Sequence, residues 1–267
     1  MGRSMSKRQE RVREEVLARG EVEFSGLAAS LGVSEMTIRR DIDALEAEGV
    51  VRKVIGGAIA LGKIAEPSFE ARSHLDAGSK LHIAEAVVKQ LSMHETVILD
   101  SGSTALAVAR AVRGRSLSLT IVTPSLLVAV ELAGEPNTNV LVTGGAVRPG
   151  ELSLIGAEAV ESLERFNCDT YVMGVAGVHE QRGYTDYHRE ESAVKRAAIS
   201  ASDRLIVAVD QSKIGRAYLS TVAPLSRAYA IVSDADPDSP VLTAASHAGV
   251  QIIIAEPFSD LVAGPDA

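Results

Sequence analysis

Sorted into apolar and polar positions, the chain falls into two regimes. Through residue 60 the apolar positions recur at helical spacing in three short segments. Residues 6–19 predict a charged amphipathic helix whose stripe is Val12, Val16 and Leu17. Two more helical patterns follow, joined by a turn at Gly32, with Ser25 placed to cap the first and Ser34 the second. In the second, Ile38, Ile42 and Leu45 fall at i, i+4 and i+7 and face a core, which turns Thr37, Arg39, Arg40 and Asp41 outward. That helix is expected to end at Gly49. The run "VVRKVIGGAIAL" then places β-branched residues on both sides of Gly56-Gly57 and reads as a small hairpin.

Residues 62–79 mix Gly, Pro and charge with little periodicity and read as a linker. From Lys80 the pattern changes. Helices are expected over 80–92, 103–112, 125–133, 156–165, 190–202 and 240–248. Strands are expected over 96–100, 119–123, 139–143, 169–175, 204–209, 228–233 and 250–255. Apolar strands alternating with amphipathic helices imply an α/β fold, a mostly parallel sheet covered on both faces. The organisation is therefore a head over 1–61, a linker over 62–79 and an α/β domain over 80–267.

Composition adds constraints. Apolar residues make up 46% and charged residues 23%, ordinary values for a globular protein. The longest apolar runs are too short to cross a bilayer, and the charged N-terminus lacks the apolar core of a signal peptide. A single cysteine, Cys168, allows no internal disulfide and no thiolate metal cluster. The six histidines show no metal-ligand spacing. A cytoplasmic location is expected, with neither metal nor cofactor. The net charge is −8, and it lies entirely beyond residue 73, because the acidic and basic side chains of residues 1–73 cancel. So acidic a protein is a poor non-specific binder of polyanions. Any contact with nucleic acid must come from a local patch in the head.

The head offers such a patch. A short helix, a turn with Gly and a second helix with an exposed polar start form the helix-turn-helix plan, in which the second helix enters the major groove. Arginine forks suit guanine edges and phosphates alike. By helical pattern alone an ordinary helical hairpin with a solvated charged face fits equally well. The following hairpin favours DNA, since it sets Arg52 and Lys53 where a wing touches backbone phosphates.

In the larger domain, ligands are expected beyond the carboxyl ends of the strands, and small or charged polar groups gather there. Asp100-Ser101-Gly102-Ser103-Thr104 closes one strand, Thr123 a second and Gly144-Gly145 a third. Gly174 and Gly177 fall near the end of a fourth, and Asp210 with Lys213 follows a fifth. The "SGST" turn offers successive N–H groups, hydroxyls and a helix N-terminus, all attractive to a phosphate. Lys213 adds positive charge, and Asp100 or Asp210 can accept hydrogen bonds from sugar hydroxyls. Taken singly each has a plainer reading. A "GST" turn is a common connection, "TGG" a common loop, Glu191 and Lys195 at i, i+4 a surface pair, and His179 and His188 solvated loop residues. Convergence of five strand ends outweighs these.

The run "ASLGVSEMTIRRDIDALEAEGVVRKVIGGA" closely resembles the DNA-binding head of the DeoR family of bacterial transcription regulators. The resemblance continues through "LDSGST", "VLVTGGAVRPGELSLIG", "EESAVKRA" and "VDQSKIGR", which brings Glu191 and Lys195 into the candidate pocket. It implies that Ser34, Glu35, Thr37, Arg39 and Arg40 lie against operator DNA. It further implies a sensor domain resembling the ribose phosphate isomerase and glucosamine phosphate deaminase fold, with a phosphorylated sugar as effector. Repression of a carbohydrate operon and release from DNA on effector binding are implied in the same way. Since a head this size reads a short half-site, at least a dimer is expected. One position departs from the family, Pro124 standing where it usually shows Asn. The rival reading is an isomerase or deaminase with Glu190, Glu191 or Asp100 as general base. The fused head speaks against it, because such an enzyme has no use for an operator-reading helix.

Overall fold

The structure, a computed structural model, describes residues 7–47, 50–60 and 66–256. It divides into a smaller unit, Met1–Leu75, and a larger one, Asp76–Ala267. Among the described residues no helix is long and apolar enough to cross a membrane.

The smaller unit runs α1 (Lys7–Arg19), β1 (Glu21–Glu23), α2 (Phe24–Leu31), α3 (Glu35–Ala47), β2 (Val51–Val54), β3 (Gly57–Ala60) and α4 (Phe69–His74). Val12, Val16, Phe24, Leu27, Ile38, Ile42, Leu45 and Val51 close its core, while Leu17 is only half-buried. Gly32 ends α2 at φ +65°, the left-handed conformation that glycine adopts without a Cβ penalty. Ser34 starts α3 as expected, its Oγ accepting the Thr37 N–H at 3.3 Å. Three expectations are corrected. Ser25 caps nothing, because α2 begins at Phe24 behind Glu23. The hairpin acquires a third strand, in the order β1-β3-β2. β1 can lie beside β3 because a Cβ on Gly57 would sit 2.2 Å from the Val22 carbonyl oxygen. Asp41 is buried, not outward, because Arg8 on α1 reaches across α3 to it, with Nε at 2.7 Å and Nη2 at 3.2 Å from its two oxygens. The expected cap at Gly49 and residues 62–65 of the expected linker lie outside the described residues. Within the rest of that stretch the chain is helical over Phe69–His74, capped by Ser68, and helical again from Ala77.

The larger unit continues α5 (Ala77–Val88), β4 (Thr96–Leu99), α6 (Ser103–Val112), β5 (Thr120–Thr123), α7 (Leu126–Leu132), β6 (Asn139–Val142), β7 (Ala146–Val147), β8 (Leu154–Ile155) and α8 (Ala157–Leu163). It ends with β9 (Cys168–Met173), β10 (Gly177–His179), β11 (Gly183–Asp186), α9 (Arg189–Ser200), β12 (Ser202–Ala208), β13 (Ser220–Ala223), β14 (Ala230–Ser233), α10 (Pro240–His247) and β15 (Gln251–Ile254). Seven strands form one parallel sheet in the order β15-β14-β12-β9-β4-β5-β6. Val97–Leu99, Tyr171–Met173 and Leu205–Ala208 are unbroken apolar runs because both faces are covered. Val97 and Leu99 join one core with Val108 and Ile121, while Ile98 joins the other with Tyr171, Leu205 and Ile231. The same alternation separates Val172 from Tyr171 and Met173. A second, antiparallel sheet of β10, β11 and β13 and a β7–β8 ribbon were not anticipated. From β4 the chain steps outward through β5 to β6, and from β9 it steps the other way through β12 and β14 to β15. The direction reverses between β4 and β9, and at such a reversal the connections part and leave a crevice beyond the carboxyl ends.

Candidate functional site

On the smaller unit the exposed start of α3 and the β2–β3 hairpin enclose a groove of about 320 Å³, lined in part by Ser25, Glu35, Arg39, Ile55 and Gly56. Ile38, Ile42 and Leu45 face inward, so the residues between them cannot. Arg39 is held on both sides. Its guanidinium lies 4.7 Å above the Phe24 ring centroid and 3.6 Å from the Glu35 carboxylate one turn back. The Ser34 and Thr37 hydroxyls are hydrogen-bonded to each other at 2.9 Å. Lys53 faces back onto α3, its ammonium on Asp43 and its N–H on the Glu46 carboxylate at 2.7 Å. It anchors the hairpin. Arg40 and Arg52 are exposed and carry no ion pair among the described residues. They are the cations of this face with charge to offer.

On the larger unit the strand ends at the reversal are tied together by one ammonium group. Lys195, on the second turn of α9, is fully buried and donates to the Asp100 carboxylate after β4 and to the Gly174 carbonyl after β9, the latter at 2.8 Å. The Gly174 N–H donates back to Asp100 at 3.1 Å. Asp186, closing β11, lies 3.6 Å from the same ammonium. Glu191, one turn before Lys195, accepts from Arg148 at 2.8 Å and from the Ser153 hydroxyl at 2.7 Å. These groups hold each other charged. Burial opposes the charge on Lys195, and Asp100, Asp186 and Glu191 outweigh it and push its pKa up. Burial likewise opposes the charge on Glu191, yet Lys195, Ser153 and Arg148 hold its carboxyl below the usual range. The same contest at Asp210, after β12, ends with its carboxyl lowered by Lys213 and Lys80. Lys80 is itself buried, 3.4 Å from Asp210. Tyr171 is kept protonated, by burial first and by Asp100 next.

Above this floor lies the Ser101–Thr104 loop, half-buried throughout. Gly102 sits at φ +95° and is the N-cap of α6, so no side chain caps that helix. Its first N–H groups therefore have no partner within the helix and face the crevice end. Ser125 and Ser239 do cap α7 and α10.

The structure thus brings Asp100, Gly174, Glu191 and Lys195 into one network and sets Asp210 and Lys213 beside it. Thr123 is fully buried, and its hydroxyl accepts the Ser125 N–H at 3.1 Å. Gly145 serves packing, since a Cβ there would meet the Ile155 carbonyl at 2.6 Å. The Pro124 carbonyl accepts the Leu154 N–H at 2.7 Å, so this position ties two loops together. Glu191 and Lys195 are not a surface pair, because the crevice end of α9 is covered by β11 and the Arg148–Ser153 loop. His179 lies on β10 and accepts the Gln181 N–H, and His188 is the residue from which α9 starts. Sequence reading missed Lys80, Arg148, Ser153, Tyr171 and Asp186. Arg148 and Ser153 lay within a run singled out for its family likeness. Lys80 carried no signal, since nothing in a helical pattern announces which lysine will be buried. Burial pushes the Cys168 thiol up to about 11, which leaves it unreactive at neutral pH.

Comparison with known proteins adds identity. The DeoR-like helix-turn-helix domain matches residues 8–63, and the DeoR C terminal sensor domain matches residues 76–235. The HTH-type transcriptional regulator GolR of Listeria innocua is 31% identical over 231 residues, covering 86% of this chain and 91% of that one. The glycerol-3-phosphate regulon repressor of Escherichia coli K12 is 28% identical over 239 residues, covering 90% and 94%. Among solved structures, ribose 5-phosphate isomerase A of Methanocaldococcus jannaschii is 16% identical, with a TM-score of 0.38 over 51% of this chain and 53% of that one. A likeness that weak adds nothing to the family match.

Proposed function

Because the chain belongs to the DeoR family of transcriptional regulators, we propose that it represses a carbohydrate operon and leaves its operator when a phosphorylated sugar or sugar derivative binds the larger unit. One observation carries the effector reading. The uncapped start of α6, the Ser101–Thr104 hydroxyls and the Gly174 turn meet at the reversal between β4 and β9. Backbone donors at a helix N-terminus suit an anion. Ser101, Gly102, Ser103, Thr104 and Lys213 are its ligands in this reading, whereas Asp100, Gly174, Glu191, Lys195 and Asp210 build the floor that aims the loop. One relative is named as the repressor of the glycerol-3-phosphate regulon, which agrees with a small phosphorylated effector.

On the smaller unit, Arg40 and Arg52 supply phosphate contacts, Arg39 and Thr37 present polar groups to base edges, and Lys53 steadies the wing. Two copies then read two half-sites. The pocket acts as a sensor rather than an enzyme. Asp100 and Glu191, the buried carboxylates a general base would need, are already spent on Lys195, Arg148 and Ser153, and Glu190 stands 60% exposed.

The test is a calorimetric titration of the full-length protein with pentose and hexose phosphates and with the unphosphorylated sugars, repeated in the presence of operator DNA. Phosphates should bind and the free sugars should not. The ratio by which effector weakens operator binding must equal the ratio by which operator weakens effector binding. Equal binding of a sugar and its phosphate would sink the anion reading, and effector that tightens operator binding would sink release.

A further inference from the structure

The phosphate seat leaves the rest of a bound ligand unaccounted for, and the aromatic residues indicate what holds it. The chain has five tyrosines and no tryptophan; Tyr171 lies in the Lys195 network, and the Tyr187–Tyr218 pair stands beside β11, the strand that delivers Asp186 to it. Tyr171 is buried against Asp100. Tyr187 follows Asp186, whose Oδ1 accepts the Tyr187 N–H at 2.8 Å. The Tyr187 ring centroid lies 4.1 Å from that of Tyr218, tilted by 42°. Tyr218 stands in the segment leading into β13, and its N–H donates to the Thr185 hydroxyl at 3.0 Å. Its ring also edges Gly177, where a Cβ would sit 3.1 Å from Tyr218 Cδ2. Tyr218 is thereby fastened to β10, which follows Gly174, and to β11, which delivers Asp186 to Lys195.

Its hydroxyl is the anomaly. The Tyr218 oxygen is buried and has no hydrogen-bond partner among the described residues. Two other phenols nearby are served, Tyr184 by the Leu225 carbonyl at 3.2 Å and Tyr171 by Asp100. A buried hydroxyl without a partner is a net cost to the fold. The free protein would pack as well with phenylalanine at 218, so the oxygen calls for a partner that the described residues do not provide.

We propose that Tyr218 is a specificity-determining residue of the effector pocket. Its hydroxyl donates to an acceptor oxygen, hydroxyl or carbonyl, on the carbon chain of the phosphorylated ligand, and the Tyr187 ring forms the apolar wall beside it. This rests on the phosphorylated-sugar reading above. A site that hydrogen-bonds a substrate oxygen rejects analogues lacking it far more strongly than an apolar pocket discriminates by size. The tyrosine therefore separates one sugar phosphate from another, while the Ser101–Thr104 loop holds what all of them share.

The experiment compares wild type, Tyr218→Phe and Ser103→Ala as full-length proteins. Each is titrated by calorimetry with millimolar inorganic phosphate and with the panel of pentose and hexose phosphates. Tyrosine fluorescence serves as a second readout, there being no tryptophan to mask it. Tyr218→Phe should leave the affinity for inorganic phosphate unchanged and lower that for the best sugar phosphate by about ten-fold. Preferences within the panel should flatten, and the melting temperature without ligand should stay the same or rise. Ser103→Ala should weaken inorganic phosphate and sugar phosphates together. Unchanged sugar-phosphate affinity in Tyr218→Phe overturns the role of Tyr218 and leaves the phosphate seat standing. A lower melting temperature of ligand-free Tyr218→Phe also overturns it, because the hydroxyl would then serve the fold. Failure of every sugar phosphate to bind wild type overturns both readings at once.

Discussion

Replacing Lys195 by methionine tests the network beneath the proposed effector loop. The change keeps the length of the side chain and removes one buried cation. Its ammonium lies on Asp100 and the Gly174 carbonyl and 3.6 Å from Asp186, with the side chain only 6% exposed. Removing one partner of a buried pair leaves an uncompensated charge and costs about 3–5 kcal/mol. In a unit of this size each kcal/mol moves Tm by about 2–4 °C. The transition of the larger unit should therefore fall by roughly 6–20 °C at neutral pH. The pH dependence gives a second check through Glu191. Its carboxyl is held low against burial, by Lys195 first and then by Ser153 and Arg148. In wild type its contribution to stability is present above the carboxyl's unfolded pKa and is lost as pH falls through the lower folded one. In Lys195→Met burial loses its main opponent and the folded pKa rises. The charged form then destabilises, and protonation relieves it as pH falls. The deficit against wild type should be largest at pH 7–8 and shrink toward about pH 5. Scanning calorimetry across that range decides. A neutral-pH deficit under about 1 kcal/mol, or one that grows on acidification, would refute a charged buried hub.

Arg40→Ala should weaken operator binding at every sequence tested, with Tm unchanged, and lower the slope of log affinity against log salt by about one; an unchanged slope removes Arg40 from the phosphate contacts. Gly102→Ala meets no atom within 4 Å but must hold φ +95°, a strain of about 1–3 kcal/mol. It should therefore weaken phosphate binding as the loop relaxes, and unchanged binding with unchanged Tm would show that this turn is not strained. Gly57→Ala places a Cβ 2.2 Å from the Val22 carbonyl; overpacking of about 1–3 kcal/mol should lower the Tm of the smaller unit and weaken operator binding through the wing, which a native Tm would contradict. Arg8→Ala should lower that Tm further than Asp41→Ala does, since it strands the buried Asp41 carboxylate, whereas Arg8, 45% exposed, turns to solvent when Asp41 is removed; the reverse order would deny that Arg8 answers the buried Asp41 charge.

What the sequence revealed follows periodicity, and what it hid follows long-range pairing. The helix carrying Ile38, Ile42 and Leu45 and the parallel strands were legible because burial on one face or both writes a period of 3.6 or an unbroken apolar run. Asp41 was misplaced by the same logic, which assigns any charge off the apolar stripe to solvent and cannot see Arg8 thirty-three residues away. Lys80 and Asp210 sit 130 positions apart and Asp100 and Lys195 ninety-five, so no local pattern pairs them. β1 and β10 are three residues long and β7 and β8 only two, too short for alternation to register. The Ser101–Thr104 loop is legible as a candidate anion seat because a strand, a glycine and a hydroxyl-rich helix start are consecutive in the chain. Of the floor beneath it, Asp100, Gly174 and Asp210 are marked by strand ends and Glu191 and Lys195 by the family likeness, whereas Lys80, Arg148, Ser153 and Asp186 come from distant segments that no local pattern connects.

That floor bears on how a pocket of this kind signals. Asp100, Asp186, Glu191 and Asp210 are answered by Lys80, Arg148, Lys195 and Lys213, so the formal charge beneath the loop is balanced before any ligand arrives. A phosphate brings close to two further negative charges at neutral pH. In the proposed seat, balanced ground gives a phosphate no bulk attraction, and its affinity comes from oriented N–H groups, hydroxyls and the Lys213 ammonium it shares with Asp210. Such donors act over bond lengths, and they reward only the loop conformation that aims them at the phosphate. A ligand shifts an equilibrium only by its differential affinity for the two states. A loop whose donors count in one arrangement alone supplies that differential. Free buried carboxylates would serve proton transfer. Spent on lysine and arginine, they serve rigidity, and the loop above them is left as the part able to respond.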